Sequence, residues 1–153
     1  MASEGDVAAF IEAHGYPAYA RRNLAVYREA MHAPSAPTVL ATSSGFMTYP
    51  VDIDATYEAL RRAIEVDALT SLLMPAFELE TCVDLIVQRQ LSRRYLRGDR
   101  ARETQRIRER FPVFMALRCA RFRSDAPPND TASQIEKFVR ELAANTKIAI
   151  DYW

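Results

Sequence analysis

The chain is poor in the residues that most often handle phosphate, metals and disulfides. Its 153 residues hold four glycines, two lysines, two histidines and two cysteines. The glycines (Gly5, Gly15, Gly45, Gly98) and lysines (Lys137, Lys147) cannot be arranged as G-x-x-x-x-G-K-[ST]. That excludes a P-loop, whose backbone amides cradle phosphates while its lysine reaches the β and γ oxygens. Cys82 and Cys119 have neither CxxC nor CxxH spacing, which argues against a disulfide framework and a zinc site. Cys82 falls on the apolar side of an expected helix and reads as a buried, inert thiol. A reducing cytoplasm fits these thiols. No apolar run approaches the ~18 residues of a membrane span. The opening MASEGDVAAF has two acids and no basic stretch, unlike a secretory leader.

Arginine is what the chain has instead. Residues 89–110, RQLSRRYLRGDRARETQRIRER, hold nine of the 18 arginines and three acids, while the whole chain is neutral. Residues 1–88 carry 12 acids against five arginines. The planar guanidinium fork suits carboxylate and phosphate. This stretch reads in three ways: a solvated helix face laced with ion pairs such as Glu103 with Arg106, an anion-binding lid, or a nucleic-acid contact. Zero net charge and the acidic first half disfavour nucleic acid.

Periodicity predicts a first helix to about His14, ended by Gly15, and a second from Pro17 to about His32. Both histidines read as helix-end caps rather than catalytic groups. Residues 38–42, TVLAT, read as a buried strand running into Ser43, Ser44 and Gly45. Helices follow at 52–66, 80–92 and about 101–117, the last expected to kink or restart at Pro112. Asp52 and Asp54 read as first-turn acids rather than a metal pair. Further strands are expected at 70–77, 119–123 and the tail 147–153, and a last helix begins at Asp130 or Thr131. Strands alternating with helices imply an α/β domain with a mostly parallel sheet. Ligands in such sheets gather outside the carboxyl ends of the strands, where Ser43, Ser44 and Gly45 would stand.

The order of several segments resembles the shikimate kinases. FIEAHGYPAYARR (residues 10–22) is similar to their phenylalanine, glycine and aromatic–arginine helix start. TVLATSSGF is similar to their strand ending in three glycines, and Arg110-Phe111-Pro112-Val113-Phe114 to their arginine, x-Pro-x-aromatic helix. The likeness runs from about Val7 to Val139. It implies a single domain over 1–153, with a three-layer parallel sheet of the shikimate/nucleoside-monophosphate kinase type. It also implies N-terminal truncation, since the family's P-loop and first strand precede the segment matching Phe10. A lid-like arginine segment would span 93–104.

The family transfers the ATP γ-phosphate to shikimate with Mg²⁺. Carried over residue by residue, the substrate site would comprise Ser43, Ser44, Gly45 and Arg110, with Arg21 beside Ala20, which replaces the family's helix arginine. Arg93 and Arg97 would serve the lid. No catalytic or metal-binding residue is carried over. The resemblance therefore implies a protein without phosphotransferase activity by itself, needing neither ATP nor Mg²⁺ and retaining a small-carboxylate site. Two alternatives stand beside it. One is the C-terminal part of a split or truncated kinase, completed by a P-loop polypeptide. The other is an arginine-rich protein that binds an acidic partner. Expected partners are a small carboxylate and either a second copy or that complementary polypeptide, with no membrane. An unpaired inner strand would need the tail 147–153 or a second chain to cover it.

Overall fold

The computed structural model describes residues 7–32, 38–92 and 99–146. The chain divides into two compact units, Met1–Arg62 and Ala63–Trp153. In chain order it carries helix α1 (Val7–His32), helix α2 (Tyr57–Val66), strand β1 (Ser71–Met74), helices α3 (Leu79–Leu91) and α4 (Arg100–Ala116), strand β2 (Ala120–Arg123) and helix α5 (Pro128–Thr146).

Helix dominates, and β1 and β2 form a two-stranded sheet. The expected three-layer parallel sheet of the shikimate/nucleoside-monophosphate kinase type is thereby overturned. Of the four segments expected as strands, two pair with each other. Residues 38–42 are neither strand nor helix and are exposed, Val39 to 96%. An apolar, β-branched run becomes a strand only where a second backbone supplies ladder bonds and neighbouring side chains supply packing. The expected tail strand, 147–153, lies outside the described residues.

In the first unit α1 consists of two helical stretches that meet at Gly15, whose φ is +80° and ψ 159°. That conformation belongs almost wholly to glycine. The break fell where Gly15 and Pro17 placed it in the sequence. Ala20 and Leu24 of the second stretch are fully buried. After residue 42 the backbone makes two 3-10 turns, Phe46–Thr48 and Val51–Ile53. The expected helix 52–66 begins only at Tyr57. Asp54 sets that start: its carboxylate accepts from the Thr56 N–H at 2.9 Å and its carbonyl from the Tyr57 N–H at 3.0 Å. Such side-chain acceptance is what defines a helix N-terminus.

In the second unit β1 and β2 are parallel, with Ser71 opposite Ala120 and Met74 opposite Arg123. The connection between them is α3 and α4. Met74, Ala76 and Cys82 form a buried cluster, against which pack Leu72 of β1, Leu85 and Ile86 of α3, and Phe111 and Phe114 of α4. Phe122, opposite Leu73, meets Phe138 of α5 edge-on, with ring centroids 5.6 Å apart. Val83, Val87 and Ile107 close the α3–α4 seam.

Helix α4 continues through Pro112 without restarting there. Pro112 is exposed. The carbonyl it cannot bond is that of Arg108, also an exposed residue, and water can satisfy it. Helix α5 begins at Pro128 rather than at Asp130 or Thr131. Proline fits a first helical position, where no N–H is needed. Thr131 is instead buried, and its hydroxyl donates to the Arg123 carbonyl at 3.1 Å.

A Cβ at Gly15 would meet only Pro17 Cδ, at an ordinary 3.7 Å, so the obstacle to substitution there is conformational. Gly15→Ala should therefore destabilise the protein by about 1–3 kcal/mol. A urea midpoint equal to that of the wild type would contradict this.

Candidate functional site

The first unit is built around tyrosines. Tyr57 is fully buried at the start of α2. Its hydroxyl donates to the Phe46 carbonyl at 2.7 Å and accepts from the Tyr49 N–H at 3.1 Å. One side chain thus satisfies two backbone groups of the turn that follows Ser43, Ser44 and Gly45. The turn also bonds itself: Phe46 N–H to the Ser43 carbonyl and Thr48 N–H to the Gly45 carbonyl, both at 2.9 Å. Burial pushes the Tyr57 hydroxyl pKa above its ordinary value, against the Tyr49 N–H bond and the Arg61 charge.

Tyr49, itself buried, is ringed by Tyr16, Phe46 and Tyr57, with centroids 5.7–6.0 Å away. Its hydroxyl accepts from the Asn23 amide at 2.9 Å and lies 3.4 Å from the exposed Ser43 hydroxyl. A usual O–H···O bond is about 2.7–2.8 Å, so Ser43 and Tyr49 hold each other weakly. Behind this cluster Arg28 donates to both Asp54 carboxylate oxygens, at 2.7 and 3.4 Å, and to the Thr56 hydroxyl. The Arg28 bonds, then those from Thr56, hold the Asp54 carboxyl well below the usual carboxylate range.

The residues expected to bind substrate divide between the two units. Ser43, Ser44 and Gly45 form the turn just described, with the serines exposed and Gly45 buried. They do not end a strand, because 38–42 is not one, which corrects that placement. Gly45 has φ −95°, so no left-handed geometry is needed there. Arg21 is exposed on α1, while neighbouring Ala20 is fully buried. Arg110 is half-buried on α4 in the second unit. Arg93 and Arg97 lie outside the described residues, as does most of the lid-like segment 93–104. Its remainder is Asp99, which caps α4 by accepting from the Ala101 N–H at 3.2 Å, and the first turn of that helix.

Part of the arginine charge is consumed locally. Arg106 pairs with Glu103 at 2.7 Å and Arg108 with Glu80 at 2.7 Å. Glu109 accepts from Gln105 at 2.8 Å. Arg121 donates to the Met115 and Leu117 carbonyls at the end of α4.

The carboxyl ends of β1 and β2 are filled by the chain's own groups. After β1, Glu78 caps α3, accepting from the Glu80 N–H at 3.0 Å, the Thr81 N–H at 2.8 Å and the Thr81 hydroxyl. Those bonds hold its pKa low. An anion at a helix N-terminus would use the same amides. After β2, Arg123 pairs with Asp125, and Arg89 donates to the Ser124 carbonyl at 2.8 Å. Both cysteines are free, Cys82 buried and Cys119 half-buried, and burial raises both thiol pKa values. His32 Nδ1–H donates to the Arg28 carbonyl at 2.6 Å, as a helix-end cap does. Among the described residues no three His, Cys, Asp or Glu side chains gather as a metal site requires.

Sequence reasoning missed Tyr49 and Asn23. The Asn23–Tyr49 bond joins residues 26 apart and left no local trace.

No family model, curated protein or solved structure matches this chain.

Tyr57→Phe should cost about 1–3 kcal/mol, the penalty of stranding buried backbone groups, read as a lowered urea midpoint. Asp54→Asn tests the buttress through pH. A carboxyl pKa depressed in the folded state adds stability that is fully present above the unfolded value, near 4, and is lost as pH falls toward the folded one. The stability gap between wild type and Asp54→Asn should therefore narrow from about pH 5 downward. A gap constant down to pH 2 would refute the depressed carboxyl.

Proposed function

We propose that this chain binds a small carboxylate and by itself transfers no phosphoryl group, as its resemblance to the shikimate kinases suggests. The observation that carries the reading is the surplus of hydrogen-bond donors at the Ser43 turn. The Tyr49 oxygen already accepts from Asn23, so among the described residues its own proton has only the long contact to Ser43 to use. The Ser43 hydroxyl is exposed and, among the described residues, has that same long contact alone. A carboxylate offers acceptor oxygens to both, and charge-assisted bonds to it are shorter and stronger than the one it replaces.

Two observations weigh against phosphoryl transfer by this chain alone. The sequence offers no glycine loop with an adjoining lysine, and in the second unit Glu78 already fills the strand-led helix N-terminus of α3. Phosphoryl transfer depends on positioned positive charge and amides, and loss of a single arginine finger costs about 10³–10⁵ in rate.

The test joins a binding measurement to an activity assay. Calorimetry should detect shikimate or a comparable carboxylate binding to the wild type. Tyr49→Phe, which removes one donor, should weaken that binding by about tenfold. A coupled assay should register no shikimate-dependent ADP release. Turnover by the purified chain, or failure of every small carboxylate to bind at millimolar concentration, would refute the proposal.

A further inference from the structure

We propose that the outer edge of β1 pairs with the same edge of a second copy of this chain, giving a weak two-fold dimer through the second unit. The proposal is independent of the carboxylate reading. The Ser124 N–H donates to the Met74 carbonyl at 2.9 Å, so the Met74 backbone faces β2. In an extended strand the N–H and carbonyl of one residue point to one edge, and those of the next residue to the other. Leu72 therefore also faces β2, while Ser71 and Leu73 turn their N–H and carbonyl groups to the opposite edge. Among the described residues no strand lies along that edge. Outward backbone groups of this kind are a template for another strand.

The two edges of the sheet are not alike. Both strands are four residues long, so length protects neither more than the other. By the same alternation Arg121 and Arg123 turn their backbone groups outward from β2, and there the Arg123 carbonyl already accepts from the Thr131 hydroxyl at 3.1 Å. Two arginines in a four-residue strand also oppose pairing with a like strand. Strand β1, SLLM, carries no charge, and Leu73 is 49% exposed.

Those features suit a second copy. Antiparallel pairing about a two-fold at Leu72 sets Ser71 opposite Leu73 of the other copy. Each such pair exchanges both of its N–H···O bonds, so every outward group of the two strands is used. The same axis brings the two Leu73 side chains to diagonal positions, roughly 7–8 Å apart, and sets no charge against a like charge. Pro75 follows Met74 and has no N–H with which to lengthen the ladder. A contact this short falls below the ~1,200 Å² of stable interfaces and belongs with transient ones. Two-fold pairing also closes on itself, leaving outward only the β2 edges, which carry Arg121 and Arg123.

The experiment is sedimentation velocity of the full chain from about 1 μM to about 1 mM, the range over which weak complexes form, with amide hydrogen exchange followed by NMR at both ends. The wild type should sediment faster as concentration rises, and the Ser71 and Leu73 amides should gain protection while that of Arg121 does not. Leu73→Lys places like charges across the axis and should weaken association by about tenfold or more. Val39→Lys, at a 96% exposed apolar residue of the first unit, should leave it unchanged. A monomer at every concentration overturns the proposal, whether another segment of the chain already protects those amides or nothing does. Association unaltered by Leu73→Lys, or weakened equally by Val39→Lys, also overturns it. Should Leu73→Lys not fold, wild-type exchange decides: a dimer whose Ser71 and Leu73 amides gain no protection is formed elsewhere, and the proposal falls.

Discussion

The Tyr57 hydroxyl is the tie on which the first unit depends. It sits in a fully buried ring at the start of α2 and engages one carbonyl and one N–H of the turn 46–49. Neither backbone group can reach water, so each would stand unsatisfied without it, and the penalty for that exceeds the net worth of an ordinary hydrogen bond. The turn in turn fixes Tyr49, whose ring touches three other aromatics and whose hydroxyl meets Asn23 and Ser43. A short helix start thereby orients every hydroxyl of the proposed site. The Arg28–Asp54 pair braces the same corner from α1, by way of the residue that sets where α2 begins.

The second unit spends its polar groups differently. Its two parallel strands end in loops where an α/β protein commonly receives ligands. Here each loop is answered from within: Glu78 by the first amides of α3, the Ser124 carbonyl by Arg89, and Arg123 by Asp125. The arginine-rich helix α4 likewise directs Arg106 and Arg108 to nearby acids. Part of what reads in the sequence as an anion-seeking charge is thus neutralised locally. Exposed pairs of this kind contribute little stability individually. Their effect is to occupy donors that a phosphate would otherwise find.

The legible parts of the fold were those whose cause is local. Gly15 and Pro17 divide α1 because backbone conformation at those residues is a property of the residues themselves. The amphipathic periodicity of 80–92 and 101–117 located α3 and α4 to within a residue. Cys82 read as buried and is. Strand content was legible only in part. Residues 71–74 and 120–123 pair, while 38–42, equally apolar, has no strand partner among the described residues. Nothing within TVLAT could report whether a second backbone lies beside it. The error in fold class follows from that, since a parallel sheet was inferred from strands counted one at a time.

The site divides in the same way. Ser43 was singled out, but as the end of a strand; it is the first residue of a turn held by Tyr57. By itself the sequence determined the absence of a phosphate loop, the neutral but arginine-weighted charge, the helices and the Gly15 break, because each is written in residue identity and spacing. Only the tertiary structure decided that Tyr57 reaches back 11 residues to Phe46, that Asn23 meets Tyr49 across 26, and that Arg28 on α1 pairs with Asp54. Those are long-range matters of where chains cross, and no local propensity encodes them.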